Sequence, residues 1–178
     1  MQFAGAKLRR SRATFRLNMS EGKGTTMSAE ERFAALGLEL PTPPTAGGNY
    51  LSFRQLGKVG YLAGVVSSNA DGVITGCVGD GRSVEEGYAA AKACALMQLA
   101  VLRKFLGSLD RVEAVLTVNG YVNCVAGFAE TPKVINGASD LLIEIFGDAG
   151  RHVRAAVGVN ALPRNALVEL QMTIQVRD

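Results

Sequence analysis

Three features of this 178-residue chain predict an α+β fold, a mixed sheet with helices packed on one face. Two Ser-x-x-Glu boxes, at Ser28 and Ser83, each open a helical pattern. β-rich runs cluster before and after the long helix instead of alternating one for one with helices. The last run, residues 167–177, alternates in period two: Val168, Leu170, Met172, Ile174 and Val176 share one face, and Glu169, Gln171, Thr173 and Gln175 the other.

The elements follow in order. The first helix spans residues 28–37. Pro41, Pro43 and Pro44, then Gly47 and Gly48, make a linker that is first stiff and then loose. The β runs 50–56 and 59–66 flank Gly57-Lys58, a two-residue turn that predicts a hairpin. A glycine-rich loop covers 67–82, with a short strand at 73–75. The Ser83 helix extends to Leu106 and stops at Gly107. Its alanines, Ala90, Ala93, Ala95 and Ala100, suit close packing on a sheet. A strand at 111–123 and a helix at 128–146, with Pro132 in its first turn, come next. Strands 154–159 and 167–177 read as a closing meander. The face of the sheet away from the helices is polar on the last strand but apolar elsewhere, which predicts cover by another copy of the chain and a homo-oligomer.

Composition narrows the function. With 48% hydrophobic and 20% charged residues the chain has the balance of an ordinary globular domain. No run approaches the roughly 20 apolar residues of a membrane span; the most apolar stretch, 87–102, is broken by Lys92 and Gln98. The net charge of +3 is unevenly placed. Residues 1–24 carry six basic side chains against Glu21 alone, which leaves 25–178 at −2. A slightly acidic body is a poor footprint for nucleic acid. Residues 1–27 read as a basic, disordered extension to a single domain at 28–178, with a transit peptide and a basic binding arm as the competing readings. No apolar secretory segment precedes the body, and a cytoplasmic location is expected.

Few residue types here carry chemistry. Cys77, Cys94 and Cys124 have no metal-like spacing and read as free thiols. His152, the sole histidine, lies beside Arg151 and Arg154, which oppose its protonation. One histidine leaves histidine-rich zinc sites and a Ser-His-Asp triad without support. The 76–81 loop lacks the Gly-Lys-Ser/Thr ending of a phosphate loop, and no basic–aromatic track suits single-stranded bases. No metal or cofactor is expected. The informative stretch is 154–170. Arg154 opens a small, apolar strand, and Glu169 stands on the polar face of what reads as the adjacent strand. An arginine there suits a bidentate carboxylate anchor, and a nearby carboxylate suits orientation or deprotonation of a water. A structural Arg–Glu pair, or two rim charges, is the other reading.

The same stretch resembles the C-terminal signature of the YjgF/RidA family, also called endoribonuclease L-PSP-like. That signature is an arginine, an apolar strand, Leu-Pro (Leu162-Pro163), and a strand bearing an acid fifteen positions after the arginine. Tyr50 and Tyr61-Leu62-Ala63-Gly64 are similar to the family's hairpin, and Asn136 falls where the family carries asparagine. The resemblance covers residues 35–178 and is strongest to the longer branch named for a proposed endoribonuclease. It implies a chorismate-mutase-like fold, a homotrimer with a cavity at each subunit interface, and hydrolysis of enamine/imine intermediates to 2-keto acids and ammonia. By the same resemblance, Arg154 holds a small substrate's carboxylate and Glu169 positions the water. Tyr50, Gly64, Asn136 and the Ala156 backbone line the pocket. Deaminase members usually carry serine at the place of Ala63 and cysteine at the place of Ala156. A trimeric carboxylate-binding protein without turnover and a ribonuclease acting on mRNA are the alternatives.

Overall fold

The computed structural model describes residues 27–178. The expectation of a basic extension over residues 1–27 lies almost wholly outside that range. Helix α1 (Ala29–Ala35) starts at the predicted box: Ser28 Oγ accepts from the Glu31 amide at 3.2 Å, and the Glu31 carboxylate accepts from the Ser28 amide at 2.8 Å. Helix α2 (Val84–Leu106) has the same box at Ser83 and Glu86, and ends at Gly107 in a left-handed conformation. Helix α3 (Thr131–Phe146) begins at Thr131 rather than at residue 128, with Pro132 in its first turn, where no amide partner is needed.

Among the described residues, ten strands accompany these helices. β1 (Phe53–Leu56) and β2 (Val59–Leu62) form the predicted hairpin across Gly57-Lys58. β3 (Val65–Val66) resumes after a break. The glycine-rich loop is built from two small ladders, β4 (Ser68–Asn69) with β5 (Gly72–Val73), and β6 (Cys77–Val78) with β7 (Gly81–Arg82). The long strands are β8 (Val112–Asn123), β9 (Val153–Val159) and β10 (Val168–Val176). The main sheet runs β1-β2-β10-β8-β9, with β3 also paired to β10.

This order corrects the expected meander. β9 pairs parallel to β8, not to β10, and β10 inserts antiparallel between β2 and β8. The burial pattern explains the placement. Val168, Leu170, Met172, Ile174 and Val176 of β10 are all buried, as a central strand requires, whereas most of β9 is exposed, as an edge strand is.

The helices lie on one face. α2 and α3 pack side by side on the sheet, with Leu99, Leu102, Leu141, Leu142 and Ile145 fully buried in the shared core. Truncating one such leucine to alanine costs roughly 2–5 kcal/mol. Gly137 of α3 sits so close to α2 that a Cβ there would overlap the Tyr88 carbonyl. α1 docks at the far end of α2: the Glu30 carboxylate accepts from the Leu109 amide at 2.8 Å and pairs with Arg103, whose guanidinium stacks 5.0 Å from the Phe33 ring centre. The opposite face of the sheet is open and carries exposed apolar side chains, Leu56, Tyr61, Val153 and Val157. No helix of the described residues is long and apolar enough to cross a membrane.

Candidate active site

Glu169 anchors the first of two groups of predicted residues. Along β10, Tyr61 stands opposite Thr173 and Val65 opposite Leu170, so Leu62, Ala63 and Gly64 face only Gln171 and Met172. One extra residue makes a bulge, and the sheet opens there. Gln98, fully buried on α2, fills the gap in the ladder: its Nε2 donates to the Ala63 and Leu170 carbonyls, each at 2.9 Å. The predicted strand 59–66 is therefore two strands, and the break is where the cleft forms.

That cleft has a volume of about 430 Å³ and is lined by Pro44, Tyr50, Gly64, Met97, Arg164 and Glu169, among others. The Glu169 side chain lies across Gly64, its diagonal neighbour on β3's side of the bulge. A Cβ at Gly64 would overlap Glu169 Oε1, so the glycine supplies space for the carboxylate. Tyr50 precedes β1 instead of belonging to it, and its Oη accepts from the Gly47 amide at 3.1 Å, which folds the end of the linker against the cleft. Burial pushes the Glu169 carboxyl above its ordinary range, and no cation offsets the rise.

Arg154 anchors the second group, on the edge strand β9 facing α3. One guanidinium nitrogen donates to Asn136 Oδ1 and to Ser139 Oγ, both at 2.9 Å, and the other leans on the Pro132 carbonyl at 3.4 Å. Ser139 is buried and also meets His152 Nε2 at 3.0 Å; His152 Nδ1 lies 2.7 Å from the Gly150 carbonyl. A carbonyl only accepts, so Nδ1 carries the proton and Nε2 accepts from the Ser139 hydroxyl. The serine oxygen is thereby free to accept from Arg154. Burial and then the Arg154 charge hold the His152 pKa below its ordinary value, which keeps this tautomeric arrangement neutral. Ala156 lies two residues along the same face, and its carbonyl accepts from Thr131 Oγ1 at 3.0 Å, tying the start of α3 to β9.

Arg154 and Glu169 are thus not on adjacent strands. β8 stands between β9 and β10, Arg154 is in register with Val118, and Glu169 with Tyr121. Val118 is buried under the helices, while Tyr121 and Glu169 line the open face. The two groups occupy opposite faces of one sheet. The reading of Arg154 as a cation in an apolar wall is also corrected, because its guanidinium is ringed by acceptors from α3. Tyr50 and Gly64 accompany Glu169; Asn136 and Ala156 accompany Arg154.

Ser139 and Arg164 are not among the predicted site residues, and His152 is weighed there only as a zinc ligand or triad histidine. The spacing of Asn136 and Ser139 was the available signal: two polar residues three apart share one helix face, in the otherwise apolar stripe of α3. Arg164 and Asn165 carried no such signal. Both have left-handed backbone, φ 59° and 55°, which costs an ordinary residue about 1 kcal/mol or more. Among the described residues no cluster of His, Cys, Asp and Glu has metal-binding form. Cys94 is fully buried, and burial pushes both its thiol and that of Cys124 up, away from reactivity.

The chain is similar to known proteins over nearly all of this body. The family model described as "YjgF/chorismate mutase-like, putative endoribonuclease" matches residues 30–175. Protein TCP17 of Trypanosoma cruzi is 40% identical over 145 residues, 80% of this chain and 91% of that protein. A crystal structure described as a putative endoribonuclease from Shewanella oneidensis superposes with a TM-score of 0.81 at 34% identity, covering 84% of this chain and 100% of that one. The Agrobacterium tumefaciens protein Atu1372, described as of unknown function, superposes with a TM-score of 0.77 at 37% identity, over 83% and 92% of the two chains.

Proposed function

The chain belongs to the YjgF/chorismate mutase-like family, and from that premise we propose that it hydrolyses 2-imino acids, or their enamine tautomers, at sites completed between subunits of a trimer. The observation that carries this is the separation of the two groups. An arginine oriented by three acceptors and a glutamate raised in a cleft lie on opposite faces of one chain. A second copy whose exposed edge strand β9 lies against the open face brings the side chains along that edge, Arg154 among them, to the cleft.

The reaction uses the residues as follows. The neighbour's Arg154 holds the substrate carboxylate with the guanidinium hydrogens that Asn136 and Ser139 leave free. Glu169 takes a proton from water as the water oxygen adds to the imine carbon, and the C=N electron pair moves to nitrogen. Glu169 returns that proton to nitrogen, then passes the second water proton along the same path. The C–N bond breaks, ammonia leaves, and the oxygen remains as the carbonyl of a 2-keto acid. A raised carboxyl pKa suits both the base and the acid step, because the donor and acceptor forms lie closer to working pH.

Mixing two dead variants tests the arrangement. Arg154→Met and Glu169→Gln should each lose ammonia release from imines generated by an amino-acid oxidase. Refolded together in equal amounts, they should recover about a quarter of native activity, since one interface in four pairs an intact arginine with an intact glutamate. No recovery, with trimers confirmed, sinks the intersubunit site.

A second reading, carboxylate binding without turnover, is favoured by one observation: Ala63 stands at the cleft where deaminase relatives carry a serine hydroxyl. Calorimetric binding of 2-oxobutanoate, lost in Arg154→Met and accompanied by no imine hydrolysis in the native protein, selects it. Cleavage of mRNA is disfavoured by the net charge of −2 over residues 25–178. A nuclease activity that survives stringent purification and vanishes in Glu169→Gln would reverse that ranking.

A further inference from the structure

The Glu169 cleft contains a cation that the proposed hydrolysis does not use. Arg164 lines it beside Tyr50 and Glu169. The turn that carries Arg164 is tied on several sides. The Asn165 amide donates to the Leu162 carbonyl at 3.1 Å, the Gly76 amide donates to the Asn165 carbonyl at 3.1 Å, and Asn123 Nδ2 donates to Asn165 Oδ1 at 3.3 Å. Arg164 and Asn165 keep left-handed backbone under these ties, a conformation that persists only where its surroundings over-determine it and that clusters at ligand clamps. Among the described residues Arg164 pairs with no carboxylate; Arg32, Arg54, Arg111 and Arg154 share that state, but of these five only Arg164 lines the Glu169 cleft of its own chain.

The cleft also has more room than a short imino acid needs. In the single chain, before a second copy covers it, its volume of about 430 Å³ lies in the range that takes ligands well beyond three or four carbons. Met97 and Val66 offer apolar wall between the glutamate and the rim. With the α-carboxylate on the neighbour's Arg154 and the water on Glu169, Arg164 is the cleft-lining cation left to meet the rest of the ligand.

Resting on the reading above, we infer that the preferred substrate is a 2-imino dicarboxylic acid, with Arg164 as the anchor of its second carboxylate and the determinant of that specificity. The guanidinium fork suits a carboxylate held edge-on. A substrate with a neutral side chain leaves this cation with water alone, so it binds less well.

The test is calorimetric binding of two product acids to the full chain, 2-oxoglutarate with a second carboxylate and 2-oxobutanoate without one. The native protein should favour 2-oxoglutarate by about tenfold or more, the scale of one charge-assisted contact. Arg164→Gly relaxes the left-handed backbone and so keeps the fold; it should remove the preference and leave 2-oxobutanoate binding within about twofold. Arg154→Met should weaken both acids alike. Equal binding of the two acids by the native protein, or a preference that survives in Arg164→Gly, overturns the inference while leaving the Arg154 result standing. A preference lost in Arg164→Gly with no effect of Arg154→Met supports the Arg164 anchor and refutes the Arg154 one. A native protein that binds neither acid overturns both.

Discussion

Glu169 and Arg154 hold their charges in contrasting settings. Glu169 lies half-buried in a cleft opened by a bulge, with no cation paired to it, and burial raises its carboxyl. Arg154 lies exposed on an edge strand, yet three acceptors of α3 orient it. A carboxylate meant to exchange protons gains from poor solvation, whereas an arginine meant to bind an anion keeps its charge anywhere and needs only direction. The comparison assigns different failures to the two groups.

The largest effect is expected at Arg154. Arg154→Met should lower kcat/KM for imine hydrolysis roughly a thousandfold, the worth of two charged hydrogen bonds, and Arg154→Lys should restore little of it. Steady-state ammonia release measures both; full rescue by lysine would reduce the guanidinium to a point charge. Gly64→Ala should cost about a hundredfold, the scale of one lost general base, because the new methyl displaces the Glu169 carboxylate. Its kcat should fall with substrate KM little changed, the reverse of a binding defect.

Titration should separate the groups by sign. The folded chain binds the His152 proton less readily than the unfolded chain, whose value is near 6.5, so this residue costs stability as pH falls through that value. The folded chain binds the Glu169 proton more readily than the unfolded chain, whose value is near 4.5, so this residue costs stability as pH rises above that value. Thermal melts should show that His152→Gln flattens the loss of Tm between about pH 7 and 5, while Glu169→Gln raises Tm at neutral pH. Matching responses in the two variants would erase the contrast. The smallest effect is expected at Ser139. Ser139→Ala removes one acceptor from Arg154 and should raise KM about fivefold, the worth of one hydrogen bond, with kcat unchanged.

Much of this architecture was legible in residue order. Both capping boxes form as written, because they need only a serine and a glutamate three residues apart. The alternation of β10 marked its buried face for the same local reason, that successive side chains leave a strand on opposite sides. The bulge at Ala63-Gly64 was not legible, since residues 59–66 are continuously strand-like and only pairing with β10 shows the extra residue. The neighbour of β9 was hidden too: strands close in sequence suggested a meander, and the pairing with β8 depends on α3 crossing over the sheet.

Local chemistry in the sequence therefore determined the elements and the buried faces, because each rests on spacings of two to four residues, and it supplied the residue types able to hold an anion or move a proton. Tertiary structure alone decided which of those residues meet. The insertion of β10 between β2 and β8 put Arg154 and Glu169 on non-adjacent strands and opposite faces. The space over Gly64, the ring of acceptors around Arg154 and the unpaired Arg164 in the cleft all arise from contacts between segments tens of residues apart, whose geometry is set by how helices and sheet pack rather than by any local pattern.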